Sequence, residues 1–343
     1  MDGILRRLGS VFTLAGLLVA LTVGPAGAAQ WNTETLDGGS GPPGAGVGQH
    51  NAVTLYHGSP HVFSYAASGA LRHNWWTGAQ WSSETLDGIG AGFGDGRVNT
   101  NNVGQFTSVV SYLGQPHVFY YDATAKNLRH AWWGGARWHF EALDGLNVGG
   151  GSGRLNADVG QYSSAILYTG QPHVWYYDVA NGDLRHAWWT GSGWAFETLD
   201  GAGPSGPNVG QYAAVTLYRG QPHVFYYDAT NTDLRHAWWN GARWSVETLD
   251  GSGSVSPGST TNNVGQFTSV VSYLGQPHVF YYDATAKNLR HAWWDGARWH
   301  FEALDGLNVG GGSGRLNADV GQYSSAILYT GQPHAWYYDV ANG

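Results

Sequence analysis

An all-β fold, a β-propeller of four-stranded blades, is predicted by three observations. A unit of 50 to 56 residues returns along the chain, each complete unit holds four short strand-like segments, and the 343 residues include 53 Gly, 18 Trp and 20 Tyr. The V-G-Q opening of the unit stands at Val47, Val103, Val159, Val209, Val264 and Val320, and a period of this length marks a propeller or a solenoid. From Val103 the unit reads VGQFTSVVSYLGQPHVFYYDATAKNLRHAWWGGARWHFEALDG.

Each segment follows from local composition. The run ending in S-V-V-S-Y or S-A-I-L-Y, then P-H-V-F-Y-Y-D, L-R-H-A-W-W and W-x-x-E-x-L-D, are rich in aromatic and β-branched residues, the types that suit a pleated surface. Y-x-G-Q-P, D-x-x-x-x-x-L and W-x-G-x-x-W separate them and carry the Gly, Pro, Asn and Asp that turns need. Nearly continuous apolar runs such as V-F-Y-Y indicate strands covered on both faces, as in blades packed between neighbours. Four strands per unit is the content of a propeller blade.

Five complete units are visible, with a sixth that is split or truncated. Gln30-Trp31-Asn32-Thr33-Glu34-Thr35-Leu36-Asp37 reads as the last strand of a unit, and the sequence stops at Gly343 two strands into another. One expectation is a ring locked by strands from both chain ends, its shared blade short of a third strand. The other is an incomplete record. Asn101 to Gly182 recurs as Asn262 to Gly343 with only Gly134 and Val174 changed, to Asp295 and Ala335, and this abrupt stop within a recent duplication favours the second.

Residues 1–28 read as a secretory signal peptide and 29–343 as the propeller domain. Arg6 and Arg7 precede an apolar run, and Ala26 and Ala28 form an A-x-A cleavage signal. The run is shorter than the roughly 20 residues of a membrane span, and no later stretch supplies one, so a secreted, extracellular protein is expected. The paired arginines leave the twin-arginine export route open beside the general one.

Lys plus Arg number 16 and the net charge is −8, which excludes a general nucleic-acid binder, since such proteins draw most of their affinity from positive charge. There is no cysteine, so stability rests on packing and closure. The 15 His stand mostly alone, in P-H-V or L-R-H, without metal-ligand spacing. Each is expected to bond a neighbouring backbone group, and no metal or other cofactor is predicted. Leu146 to Gly153 and Leu307 to Gly314 read as loops between blades.

The linked L-R-H-A-W-W, G-Q-P-H-V-F-Y-Y-D, V-G-Q-Y and W-x-x-E-x-L-D-G motifs resemble those of the Photorhabdus-type, PLL-like lectins over essentially the whole chain after residue 28. The resemblance implies a seven-bladed propeller with sugar sites around the ring, for L-fucose and related or O-methylated glycans. It implies glycoconjugates of cell surfaces as partners and leaves oligomer formation open. Five units and a divided sixth depart from seven blades.

The residues themselves indicate where a sugar would sit. Chain direction places Tyr112, Gln115, His117, Trp133, Arg137 and Trp138 at one mouth of a blade, and Gln105, Asp122, Arg129 and Asp144 at the other. A sugar needs an aromatic plate and a few fixed polar groups. The W-x-G-x-x-W pairs Trp76 and Trp81, Trp133 and Trp138, Trp189 and Trp194, Trp239 and Trp244, and Trp294 and Trp299 offer the plates, or else fill space between blades. Adjacent strand residues point to opposite faces, so one of each neighbouring pair, such as Trp132 and Trp133, is expected at a given pocket. Glu84, Glu141, Glu197, Glu247 and Glu302 recur in the fourth strand, with Arg72, Arg129, Arg185, Arg235 and Arg290 in the third. These are expected to form Arg–Glu pairs across adjacent strands, structural or presented to a sugar.

Three functions compete. A multivalent carbohydrate-binding protein without catalysis accounts best for aromatic and polar groups repeated in every blade. A protein-interaction scaffold would diverge between blades, and a glycan-active enzyme would need one blade with a unique pair of carboxylates.

Overall fold

The computed structural model describes residues 9–13, 17–22, 30–37, 46–149, 153–310 and 314–342. It is a β-propeller: five antiparallel four-stranded sheets whose strand order follows chain order, and a sixth of two strands, Val320–Tyr329 and Gln332–Asp339. In the second blade the strands are Val103–Tyr112, Gln115–Asp122, Asn127–Trp133 and Trp138–Gly145. The first, third, fourth and fifth blades begin at Val47, Val159, Val209 and Val264.

Alternation within a strand explains why its sequence is apolar on both faces. In Gln115–Asp122, Val118 and Tyr120 pack against Phe63, Leu71 and Leu86 of the first blade. Phe119, on the opposite face, joins Val174, Tyr176 and Ala187 of the third. The core is therefore a series of layers between blades.

A buried carboxylate fastens each layer. Asp87, at the end of the first blade, accepts the Tyr120 hydroxyl at 2.6 Å and Arg129 Nε at 3.0 Å on Oδ2, while Oδ1 accepts the Val98 backbone N–H at 2.7 Å. Asp144 repeats this with Tyr176, Arg185 and the Leu155 N–H. So does Asp250 with Tyr281, Arg290 and the Thr260 N–H. Asp200 meets Tyr226 and Arg235, Asp305 takes Tyr337 of the sixth blade, and Asp37 takes Arg72 at 2.7 Å.

The six innermost strands of the described residues line one channel of about 660 Å³. Each sends an aromatic side chain to it: His50, Phe106, Tyr162, Tyr212, Phe267 and Tyr323, in five consecutive contacts with centroids 4.5 to 4.8 Å apart. All six have φ between +51° and +55°, a left-handed conformation costing an ordinary residue about 1–2 kcal/mol. The strain belongs to a bulge that shifts strand register around Gln105. Gly104, at φ +103°, begins it, and a Cβ there would stand 2.8 Å from the Leu71 Cα of the preceding blade.

The chain ends are arranged differently from the expected shared blade. Gln30–Thr35 pairs with Leu17–Thr22, which pairs with Gly9–Thr13, in a separate three-stranded sheet. The partner strands there belong to the segment before residue 29. Ala26 and Ala28 of the expected cleavage signal lie outside the described residues.

The carboxylate locks make a direct prediction. Asp144→Ala leaves Arg185 and Tyr176 buried without their partner and is expected to cost about 3–5 kcal/mol, whereas Tyr176→Phe costs about 1 kcal/mol. Urea unfolding followed by tryptophan fluorescence checks both, and equal midpoints for Asp144→Ala and wild type would contradict the arrangement.

Candidate functional site

At the mouth opposite these locks, neighbouring blades part to form clefts. The cleft between the second and third blades encloses about 630 Å³ and that between the third and fourth about 420 Å³. The two are built alike. One wall of the first of these carries Tyr112, Gln115, His117, His130, Trp132 and Glu141; the other is Pro172, Trp189 and Trp194 of the next blade. In the second, Tyr168, Gln171, His173, His186, Trp188 and Glu197 face Pro222, Trp239 and Trp244.

The hairpin sets these positions. Trp133 pairs with Trp138, so counting back along the two strands places His130 opposite Glu141 and Arg129 opposite Ala142. The expected Arg–Glu pairs are therefore not formed. Histidine holds each glutamate, and Arg72, Arg129, Arg185, Arg235 and Arg290 sit at the far mouth on the aspartates Asp37, Asp87, Asp144, Asp200 and Asp250.

A second histidine extends each pair. Glu141 Oε1 lies 3.0 Å from His130 Nδ1, and His130 Nε2 lies 3.0 Å from His117 Nδ1. The same chain runs Glu84–His73–His61, Glu197–His186–His173, Glu247–His236–His223 and Glu302–His291–His278, every step 2.9 or 3.0 Å. These contacts correct the expectation that each histidine bonds backbone. A nitrogen pair at 3.0 Å is a hydrogen bond and leaves no room for an ion between them.

The chain of bonds has a direction. A carboxylate only accepts, so Nδ1 of His130 donates to Glu141. Burial lowers the pKa of His130 and keeps it neutral, so its Nε2 accepts from His117 Nδ1. Burial, and then the neighbouring His130, lower His117 to about 3, so His117 is neutral and its Nε2 presents a lone pair at the cleft. Burial works against ionisation of Glu141 and Glu197, but bonds from His130 and His186 and from Trp194 and Trp244 of the following blades hold both below the ordinary carboxylate value.

Gln115 Oε1 and Gln171 Oε1 are buried without a hydrogen-bond partner, and both residues line their clefts. The polar lining is thus rich in acceptors, framed by indole rings, and suits a ligand that brings hydroxyl donors and an apolar face.

The hairpin tryptophans do two jobs. Trp76 and Trp81, Trp133 and Trp138, Trp189 and Trp194, Trp239 and Trp244, and Trp294 and Trp299 each form an edge-to-face pair with centroids 5.6 to 5.8 Å apart. Trp138 and Trp299 are buried in the core layers, while Trp189, Trp194, Trp239 and Trp244 border clefts. Trp132 stacks on His130 with 16° between ring planes. Trp132 and Trp133 both reach the same cleft, as do Trp188 and Trp189. That differs from the expected one per pair, because the second ring of each ends its strand at the open mouth, where either face borders the opening.

Trp81, like Trp76, Trp138, Trp294 and Trp299, lines neither of these two clefts. Its counterparts Trp138 and Trp194 work by reaching back onto the preceding blade, each edge-on to a relay histidine, His73 or His130, at 5.4 Å. The half-buried Trp81 ring packs against Trp76 of its own hairpin, at 5.8 Å between centroids.

No protein-family model matches the chain, and no curated protein matches it. Among solved structures, AofleA from Arthrobotrys oligospora is 13% identical over 86% of this chain and 81% of its own, with a TM-score of 0.51. A mutant NanB sialidase from Streptococcus pneumoniae is 11% identical over 85% of this chain and 65% of its own, with a TM-score of 0.52. A mutant Aleuria aurantia lectin in complex with α-methyl-L-fucoside reaches a TM-score of 0.47 at 14% identity, covering 88% and 90% of the two chains. At these identities the likeness is one of fold.

The neutral histidines link stability to pH. His61 and His278 are lowered to about 4 and His117, His173 and His223 to about 3, by burial first and then by the paired histidine. In the unfolded chain they titrate near 6.5. Their stabilisation is complete above that value and is lost as pH falls toward 4, at about 1.4 kcal/mol per pH unit for each histidine. The urea midpoint is expected to be level from pH 8 to 7 and to fall steeply from pH 6.5 to 4.5; a level midpoint down to pH 5 would contradict the relay.

Proposed function

We propose that this protein is a multivalent carbohydrate-binding protein without catalysis. The carrying observation is the repeated cleft in which tryptophans from two blades flank acceptors fixed by a His–His–Glu chain. Indole faces cover the C–H surface of a pyranose, and the His Nε2 lone pairs receive its hydroxyls. Repetition turns weak single-site binding into avidity on a glycan-coated surface.

L-Fucose and related or O-methylated sugars are the first ligands to test, on the strength of the motif resemblance. Absence of catalysis is supported by the single carboxylate in each of the two clefts, Glu141 or Glu197, each bonded to histidine and tryptophan. Glycoside hydrolysis ordinarily uses a pair about 5 to 10 Å apart. Export, with removal of residues 1–28, places the protein where such glycans are met; N-terminal sequencing of protein from the culture medium tests it.

A glycan array with free-sugar competition tests the main reading. Trp188→Ala and Trp189→Ala are each expected to weaken binding at their cleft by about 2 kcal/mol, roughly thirty-fold, with the urea midpoint nearly kept. A blank array overturns the proposal, and release of reducing sugar from a bound glycan replaces it with an enzyme.

A further inference from the structure

The clefts repeat their walls but not their rim. The residue after the tyrosine in the Y-x-G hairpin is His57, Leu113, Thr169, Arg219, Leu274 or Thr330, and each has φ of +50° or +51°. The turn fixes this backbone whatever the side chain. Leu113 and Thr169 line the two clefts described above, so the varied residue stands where a ligand enters.

Arg219 holds that position between the fourth and fifth blades. The His–His–Glu chain is preserved there: Glu247 bonds His236, His236 bonds His223, and Trp299 of the fifth blade packs edge-on to His236 at 5.4 Å. The guanidinium lies 5.2 Å from the centroid of Tyr218, and the Tyr218 hydroxyl accepts Trp294 Nε1 of the fifth blade at 3.2 Å. Arg219 is therefore held across the rim. Among the described residues no carboxylate comes within ion-pair distance of it, whereas the arginines of the third strands are each taken up by aspartate. Glu247, the acid of this cleft, is engaged by histidine.

We propose that the cleft between the fourth and fifth blades selects an acidic sugar, one bearing a carboxylate, while the leucine- and threonine-rimmed clefts take neutral sugars. The inference rests on the carbohydrate-binding reading above. A guanidinium offers a planar fork of donors that matches a carboxylate in two parallel bonds. The acceptor-rich wall below receives hydroxyls as in the other clefts. One chain would then read neutral and acidic residues of one glycan surface at the same time.

The test uses the full chain and matched methyl glycosides: glucose against glucuronic acid, and galactose against galacturonic acid. Calorimetric titration at low salt is expected to show one class of site, one per chain, preferring the acidic member of a pair by about ten-fold or more and losing that preference at high salt. Arg219→Leu and Arg219→Thr, residues the fold already carries at this position, are expected to abolish the preference and leave neutral binding unchanged. Leu113→Arg is expected to create a second acidic site. Neutral binding without acidic preference, or equal loss of both in Arg219→Leu, overturns this inference alone. If no sugar of either kind, and no array glycan, binds the wild type, the carbohydrate reading falls and this inference with it.

Discussion

The aspartate that ends each fourth strand governs the geometry of the molecule. Its two oxygens face different tasks. In Asp87, Asp144 and Asp250, Oδ1 holds the loop leaving its own blade, and Oδ2 receives the tyrosine and arginine of the next. A charge buried this deeply is tolerable only when fully bonded, so blade spacing and loop path are set together. With the layers fastened at one mouth, the opposite mouth opens into wedges of like construction, and the clefts inherit their shape from bonds made at the far end of the sheets.

That arrangement also explains why the polar chemistry of the clefts is directional. Glutamate anchors the relay, each buried neutral imidazole passes the donor–acceptor sense outward, and the outer histidine ends on a lone pair. Reversing the sense would require protonating an imidazole that burial keeps neutral. The following blade contributes too, since Trp194 and Trp244 donate to Glu141 and Glu197. Each cleft is thus completed by groups from two repeats about fifty residues apart.

Much of this was legible in the sequence. The period, the four strands and the separation of an aromatic from a polar mouth follow from hairpin residues and chain direction. The identity of the glutamate's partner was legible too, but only by counting. From Trp133 opposite Trp138, His130 falls opposite Glu141; charge alone suggested Arg129, one position away, whose side chain alternation sends to the opposite face of the sheet. The unpartnered Gln115 oxygen was beyond reach, because its surroundings depend on side-chain packing across a cleft. So was the ring of left-handed aromatics, since V-G-Q-Y gives no local reason for Tyr162 to leave the β region; contact with the rings of its neighbours around the channel supplies it.

Repetition and variation are divided between positions in a way the physics permits. Residues that bond across blades, such as Asp144, Tyr176 and Arg185, are coupled to one another, and changing one strands the others. The hairpin residue at the cleft rim makes its contacts within its own hairpin, as Arg219 does with Tyr218, and its left-handed backbone is imposed by the connection between strands. Histidine, leucine, threonine and arginine therefore occupy it without altering the sheet. A repeat protein built this way gains new recognition at its rims while its locks stay constant, and that explains how walls so nearly identical come to carry rims so different.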